Sequence, residues 1–447
     1  MDPITAFHKV FVLLNSYLWG WPLLLALVGV HLFLTIRLRF PQRHLLLALR
    51  LSFKKEPYGK GDVKPFRSMA TALAATIGTG NIAGLAAAVL LGGPGALLWL
   101  WIIGAASFST KYAESLLADK YRIRTRKGTM LGGPMYTIEN GLNQKWLAVC
   151  FCICIALAAL GIGMIAPVNS IAAILKERFV VDPWVSGLSI AVILMLMITG
   201  GIRPVTKACE RIMPPVFIFV VLVCIILLTV NFRYILPAIA VIFKSAFTAH
   251  AACGGIAGGG LLLALQHGIA QGPFTIDAGF GTTPIAAAAG RSENPVRGAL
   301  VSATGTFWHT SVFSVVAGLA LVTGICRNPE AAAGLDGAGI FKTALLQIPG
   351  LGQFFWILLT AAFTLITTLG WSFYAERAVE YLFRRKAIPV FRYFWILAAF
   401  LGSFDKVPII PLIVEYSILA AALMTVVNLA SIVLLSNVAV RETGKYL

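Results

Sequence analysis

The sequence predicts an all-α integral membrane protein of about eleven transmembrane helices, built as a five-plus-five inverted repeat behind an extra N-terminal helix, with two of the helices broken. Three observations predict this: the composition, the spacing of the apolar runs, and the distribution of basic residues. Of 447 residues, 59% are hydrophobic and only 12% charged, with a mean hydropathy of +0.86. Soluble domains carry about 25% charged residues, so a soluble globular chain is excluded. A spanning helix needs about 20 mostly apolar residues. Runs that fit are Leu18–Ile36, Phe66–Leu91, Ala96–Ser115, Leu147–Leu175, Trp184–Gly200, Pro214–Asn231, Gly254–Ala270, Val296–Gly324, Phe354–Tyr374, Val390–Phe404 and Ile409–Ser436. With the N-terminus placed outside, 28 of the 36 Lys and Arg residues fall in the connections on the inner side. That bias sets an N-out, C-in topology in a plasma (bacterial inner) membrane.

The same bias explains the net charge of +18. It is a topology signal that meets anionic membrane lipid, and it calls for no nucleic-acid partner and no obligatory protein partner. The first eighteen residues include Asp2, His8, Lys9 and Asn15, which does not fit a cleavable leader. Seven cysteines lie mostly within apolar runs, without C-x-x-C or neighbouring histidines at metal-ligand spacing, so no metal other than sodium is expected.

Taken in order, residues 1–65 form an N-terminal spanning helix and a basic cytoplasmic loop. Residues 66–232 form the first five-helix repeat. Its opening span contains Thr76-Ile77-Gly78-Thr79-Gly80-Asn81-Ile82-Ala83-Gly84, three glycines, two threonines and an asparagine at the centre of an apolar run. Glycine lets a helix break, and backbone groups freed at membrane depth need a partner other than hydrocarbon. In secondary transporters that partner is substrate or coupling ion; a small-residue face for close helix packing is the competing reading. Residues 233–253 form an outer amphipathic segment. Residues 254–440 form the second repeat, whose opening span starts on the glycine run Cys253–Gly260. Asn328–Gln347, rich in Gly and Ala, reads as an outer loop with a short helix. Residues 441–447 are a cytoplasmic tail. Repeats of odd helix number insert in opposite orientations, and paired broken helices at matching positions are the sequence pointer to a binding site.

The chemistry follows from what lies at depth. Glu114, Asp119, Glu139, Asp277, Glu376 and Glu380 are assigned to cytoplasmic ends and loops, and Glu415 alone reaches into a span. Without a mid-depth carboxylate the coupling ion is expected to be sodium, held by backbone carbonyls at Ala75 and Gly78 and by Thr364, Thr367 and Thr368, which share one helix face at i, i+3, i+4. Sodium is then a co-substrate, and no cofactor is required. A zwitterion suits the same geometry. Half-helix N-termini at Thr79, Gly80 and Asn81 offer amides to its carboxylate, Gly259 belongs to the second broken helix, Asn81 or Thr367 meets the ammonium, and Trp371 closes the floor. His309 is a possible proton site, which leaves open a proton-coupled or altered-substrate carrier of the same fold. The absence of G-x-S-x-G, H-E-x-x-H and Walker A patterns argues against an enzyme.

These residues also carry a family likeness. Gly78-Thr79-Gly80-Asn81-Ile82-Ala83-Gly84, Gly92-Gly93-Pro94-Gly95-Ala96 with Trp99 and Trp101, Lys111-Tyr112-Ala113-Glu114 and Gly132-Gly133-Pro134-Met135-Tyr136 resemble the alanine or glycine:cation symporter family. So do Ala278-Gly279-Phe280-Gly281 with Pro284, Asn294-Pro295, Leu369-Gly370-Trp371 with Glu376, and Asn428-Leu429. The resemblance covers about Phe66 to Leu435 and implies a leucine-transporter-type fold, sodium coupling, and alanine or glycine as substrate, and it adds Ile256 to the substrate pocket. The chain departs from the family pattern at Thr275-Ile276-Asp277, Gln271-Gly272, His309 before Thr310, Ile256, Leu365-Ile366-Thr367 and Val427.

Overall fold

The computed structural model describes residues 3–54, 61–125, 128–247, 261–332, 334–404, 407 and 409–446. The described chain is almost entirely helical. It opens with α1 (Pro3–Leu18) and α2 (Trp21–Arg37), then α3 (Leu45–Phe53), α4 (Pro65–Thr76), α5 (Thr79–Gly92) and α6 (Ala96–Lys120). A small hairpin, Ile123–Arg124 against Met130–Leu131, precedes α7 (Pro134–Leu142), α8 (Lys145–Leu160) and α9 (Ala166–Phe179). Next come α10 (Pro183–Ile198), α11 (Ile202–Val230) and α12 (Ile235–Ser245), then α13 (Leu261–Ile276) and α14 (Thr283–Ala289). The remainder is α15 (Pro295–Thr306), α16 (Val315–Arg327), α17 (Gly337–Leu346), α18 (Gly352–Phe383), α19 (Ile388–Gly402), α20 (Ile409–Leu434) and α21 (Ser436–Thr443).

Helix starts follow local chemistry. Proline stands at the first or second position of α4, α7, α10, α14 and α15, where its missing N–H costs nothing. Asn294 caps α15 by accepting from the Arg297 amide at 2.9 Å, and Asp336 caps α17 from the Gly339 amide at 2.7 Å. Two π-helical segments, Gly161–Ile165 and Phe307–Ser314, join α8 to α9 and α15 to α16; such bulges bend a helix without ending it.

Six described helical stretches are long and apolar enough to cross a membrane, or seven when the bent pair α4 and α5 is taken as one span. The expected count of eleven goes beyond this, for identifiable reasons. Helix α6 carries Lys111, Glu114, Asp119 and Lys120; α10 and α19 are 16 and 15 residues long; and the helix from Leu261 is interrupted. The expected amphipathic segment after Asn231 and the short helix in the loop before residue 347 both form, as α12 and α17. Many large apolar side chains stay exposed, among them Leu188, Leu196, Ile218 and Leu222 on α10 and α11, as a lipid-facing surface requires.

Helix α18 crosses the end of α4 at close range. A Cβ on Gly370 would lie 2.5 Å from the Ala75 nitrogen, so only glycine permits this approach. The crossing fixes the threonine face of α18 against the first helix break.

Candidate functional site

Helix α4 ends at Thr76 and α5 begins at Thr79, with a bend of 54° between them. Ile77 and Gly78 are extended, at φ −82°, ψ 101° and φ −149°, ψ −172°. The break lies where the glycine, threonine and asparagine pattern places it. Asn81 bridges it: its Nδ2 donates to the Thr76 carbonyl, and its backbone amide donates to the Gly78 carbonyl at 3.1 Å. The negative end of α4 and the positive end of α5 therefore meet at one point in the bundle.

The second expected break, at Cys253–Gly260, and with it Ile256 and Gly259, lies outside the described residues. The described residues hold a break further along. Helix α13 stops at Ile276 and α14 resumes at Thr283, and Asp277, Gly279 and Gly281 between them have φ of +55°, +95° and +82°. The two glycines adopt this left-handed backbone readily, while Asp277 is held in it. Leu263 and His267 pack against Gly92 at the end of α5, and α14 packs on α4 and α6.

A cavity of about 820 Å³ opens beside the first break. Its polar lining includes Thr76, Thr79, Asn81, Thr360 and Thr367, and its apolar lining includes Trp19, Phe280, Trp356 and Trp371. It extends to Asp336 and Lys342 on α17 and to Glu415 near the start of α20. Of the residues singled out in the sequence, Ala75, Gly78, Thr79, Gly80, Asn81, Thr367 and Trp371 all line this one space. Two buried oxygens among them, Asn81 Oδ1 and Thr367 Oγ1, have no hydrogen-bond partner within the protein. A buried polar atom left unsatisfied costs about 1–3 kcal/mol, so each is a vacancy that a polar ligand fills with gain. The Trp371 indole donates to the Ala75 carbonyl at 3.1 Å, joining the floor of the cavity to the end of α4.

Three expected residues sit apart from the cavity wall. The Thr364 hydroxyl donates to the Pro167 carbonyl at 2.9 Å, and the Thr368 hydroxyl turns back to the Thr364 carbonyl at 2.7 Å. His309 is fully buried in the π segment, with Nδ1 3.4 Å from the Ser314 hydroxyl and its ring 5.3 Å from that of Phe313.

Several of the acidic residues assigned to cytoplasmic ends and loops are buried in the bundle. Glu114, Asp119, Asp277 and Glu376 are each no more than 5% exposed. Glu376 receives a two-pronged bond from Arg392, Nε to Oε2 and Nη2 to Oε1, each at 2.8 Å. Asp119 pairs with Arg122 and accepts from the Ser292 hydroxyl at 2.8 Å. At the second break, Lys111 Nζ donates to the Ile276 carbonyl at 2.8 Å and so caps the end of α13. Asp277 accepts from the hydroxyls of Thr282 and Thr283, the latter at 2.6 Å. Glu114 Oε2 accepts from Asn428 Nδ2 at 2.9 Å and from the Gly279 amide at 3.3 Å. Segment ends in the sequence are not segment ends in space, because α6 runs on inside the bundle beyond its apolar portion.

Sequence reasoning also missed part of the cavity wall. Asn15, Trp19 and Phe280 carry no local signal of a site. The Asn15 amide donates to Glu415 Oε2 at 2.8 Å, the Trp19 indole donates to the Ile418 carbonyl at 3.2 Å, and the Trp19 and Phe280 rings meet edge to face at 6.0 Å. The N-terminal helix is thereby part of the cavity.

The profile of the sodium:alanine symporter family matches residues 4–447. The chain is 40% identical over 439 residues to the sodium/alanine symporter AgcS of Methanococcus maripaludis, covering 97% of this chain and 95% of the relative. It is 29% identical over 432 residues to the probable sodium/glutamine symporter GlnT of Bacillus subtilis, covering 95% and 87%. Among solved structures it resembles MhsT in complex with L-phenylalanine, with a TM-score of 0.54, 13% identity, and coverage of 86% of this chain and 98% of that one. At that identity the likeness concerns the fold.

Proposed function

The chain belongs to the sodium:alanine symporter family, a family of transporters and not of enzymes, and from that premise we propose that it imports a small neutral amino acid, alanine or glycine, together with sodium by alternating access. The observation that carries this reading is the pair of unpartnered buried oxygens, Asn81 Oδ1 on the broken helix and Thr367 Oγ1 on α18, in two residues that line one cavity. In this reading the substrate carboxylate lies on the first-turn amides of α5 at Thr79 and Gly80, and its ammonium is met by Asn81, Thr367 and carbonyls at the end of α4. Trp371 forms the floor; Ile256 and Gly259, expected to contribute from the second broken helix, lie outside the described residues.

Sodium is assigned to the carbonyls of Ala75 and Gly78 with Thr364, Thr367 and Thr368. A hydroxyl that donates to a carbonyl keeps lone pairs on its oxygen, so the bonds made by Thr364 and Thr368 are compatible with cation ligation. The inverted repeats are assigned to residues 66–232 and 254–440, with α4–α5 as the broken helix of the first; the break expected in the second, at Cys253–Gly260, lies outside the described residues. The protein is a multi-pass membrane protein, with the N-terminus outside and the cavity open toward that face.

Counterflow in proteoliposomes tests the function. Alanine or glycine uptake is expected to collapse when choline replaces sodium, and uptake that persists unchanged removes the sodium assignment.

A further inference from the structure

The second break holds a charge imbalance that the transport reading leaves unused. Lys111 is 1% exposed, and the carboxylates near it, Asp277 and Glu114, are 5% and 3% exposed. Both Asp277 oxygens accept hydroxyl hydrogens, from Thr282 and Thr283, as an ionised carboxylate does. The Lys111 ammonium balances that charge. Among the described residues no second cation stands beside Glu114 to balance a charge on it. The remaining groups packed near, among the described residues, are Tyr374 from α18, Asn428 from α20, and His309 beside Lys111. A buried, unbalanced carboxylate is costly enough that it neutralises.

We propose that Glu114 is a proton-binding site, a carboxylic acid protonated on Oε1 in the conformation with the second break closed against α20. Its two oxygens are not equivalent. Oε2 accepts from Asn428 and from the Gly279 amide, while Oε1 is buried and has no partner. The proton belongs on the oxygen that accepts nothing. A sodium ion is disfavoured there, because the neighbours are donors: Asn428 Nδ2, the Gly279 N–H and Lys111 Nζ turn positive ends toward the carboxyl region. Among the described residues no group of three acidic, His or Cys side chains converges to hold a metal ion.

His309 is a poorer proton carrier. A proton there sets a second cation beside Lys111 in a fully buried segment, with Nε2 lacking any partner. The Glu114 proton is coupled to the backbone that any opening of the second break must move, because Gly279 belongs to the break and Asn428 donates both to Glu114 Oε2 and to the Gly279 carbonyl, each at 2.9 Å. When Gly279 and Asn428 withdraw and water enters, the O–H bond of Glu114 breaks. The electron pair stays on the carboxylate, and the proton passes to water.

Two measurements test this, the first independent of transport. Infrared difference spectra of the protein in membranes, taken between neutral and alkaline buffer, are expected to show a carboxylic-acid carbonyl band that shifts in deuterated water, moves in E114D and is missing in E114Q. Sodium-driven alanine uptake is expected to fall several-fold from neutral to alkaline buffer in the wild type and in H309Q, and to lose that dependence in E114Q. Should E114Q not reach the membrane, the band and its displacement in E114D decide alone. A spectrum without a Glu114 carboxylic acid overturns the proposal, as does an E114Q profile that keeps the wild-type fall or a profile that depends on sodium concentration at that site.

Discussion

The hydroxyl of Thr367 faces Gly78 so closely that a single methyl group on residue 78 collides with it. This contact joins the middle of α18 to the broken point between α4 and α5. Gly78→Ala is expected to lower thermal stability and reduce uptake more than tenfold. The double variant G78A/T367A is expected to regain stability, since the colliding atom is gone, but not transport, since the hydroxyl is gone as well. Melting curves and initial uptake rates separate the two effects, and a double variant that transports normally places the ligand elsewhere.

Thr367 and Thr364 make opposite predictions although both lie on one helix face. Thr367 Oγ1 has no partner in the protein, whereas Thr364 donates to the Pro167 carbonyl at 2.9 Å. T367V therefore leaves stability unchanged or raised and weakens alanine binding by about tenfold, about one lost hydrogen bond. T364V costs about 1 kcal/mol of stability by leaving a buried carbonyl unpaired. Calorimetric melting with and without alanine in sodium distinguishes them.

Asn81 has two tasks, tying α5 to the Thr76 carbonyl through Nδ2 and offering Oδ1 to the cavity. N81A loses both and is expected to abolish measurable binding. N81D keeps an oxygen in place of Oδ1 but replaces the Nδ2 donor with a second oxygen that repels the Thr76 carbonyl, so α5 loses its tie to α4 and binding is expected to weaken more than tenfold. Retained affinity in either variant, measured by competition with labelled alanine, removes Asn81 from the site.

Trp19 should govern how much of the cavity a substrate can use. It bonds to the Ile418 carbonyl and packs edge-on against Phe280. W19F keeps the ring contact and loses one hydrogen bond, about 1 kcal/mol. W19A opens the wall at a cost of roughly 3 kcal/mol and is expected to let larger neutral amino acids compete with alanine. An unchanged competition profile in W19A shows that the N-terminal helix takes no part in selectivity.

A ligand that binds only the folded state raises the melting temperature in proportion to its occupancy. Alanine is expected to stabilise the protein in sodium buffer and to have little effect in choline buffer. Equal stabilisation in both separates amino-acid binding from sodium.

The first break was legible because glycine, threonine and asparagine at the centre of an apolar run are a local chemical contradiction, resolved only by a break with polar use. Thr367 and Trp371 were legible through helical spacing alone. The interruption at Asp277–Thr282 was not, since three residues with positive φ and a capping lysine from another helix define it, and the glycine run Cys253–Gly260 lies outside the described residues. That lysine lies more than 160 residues away in sequence, beyond the reach of any local pattern.

Composition, charge bias and the Gly78–Asn81 stretch thus determined the class of protein, its helical make-up and one half of the candidate site, since each is a property of residues close together in the chain. Tertiary structure alone decided which acidic residues are buried, that Glu114 keeps an oxygen without a partner, and that the N-terminal helix walls the cavity through Asn15 and Trp19. The physical reason is that burial and pairing belong to the distance between helices, which the order of residues along any one helix does not contain.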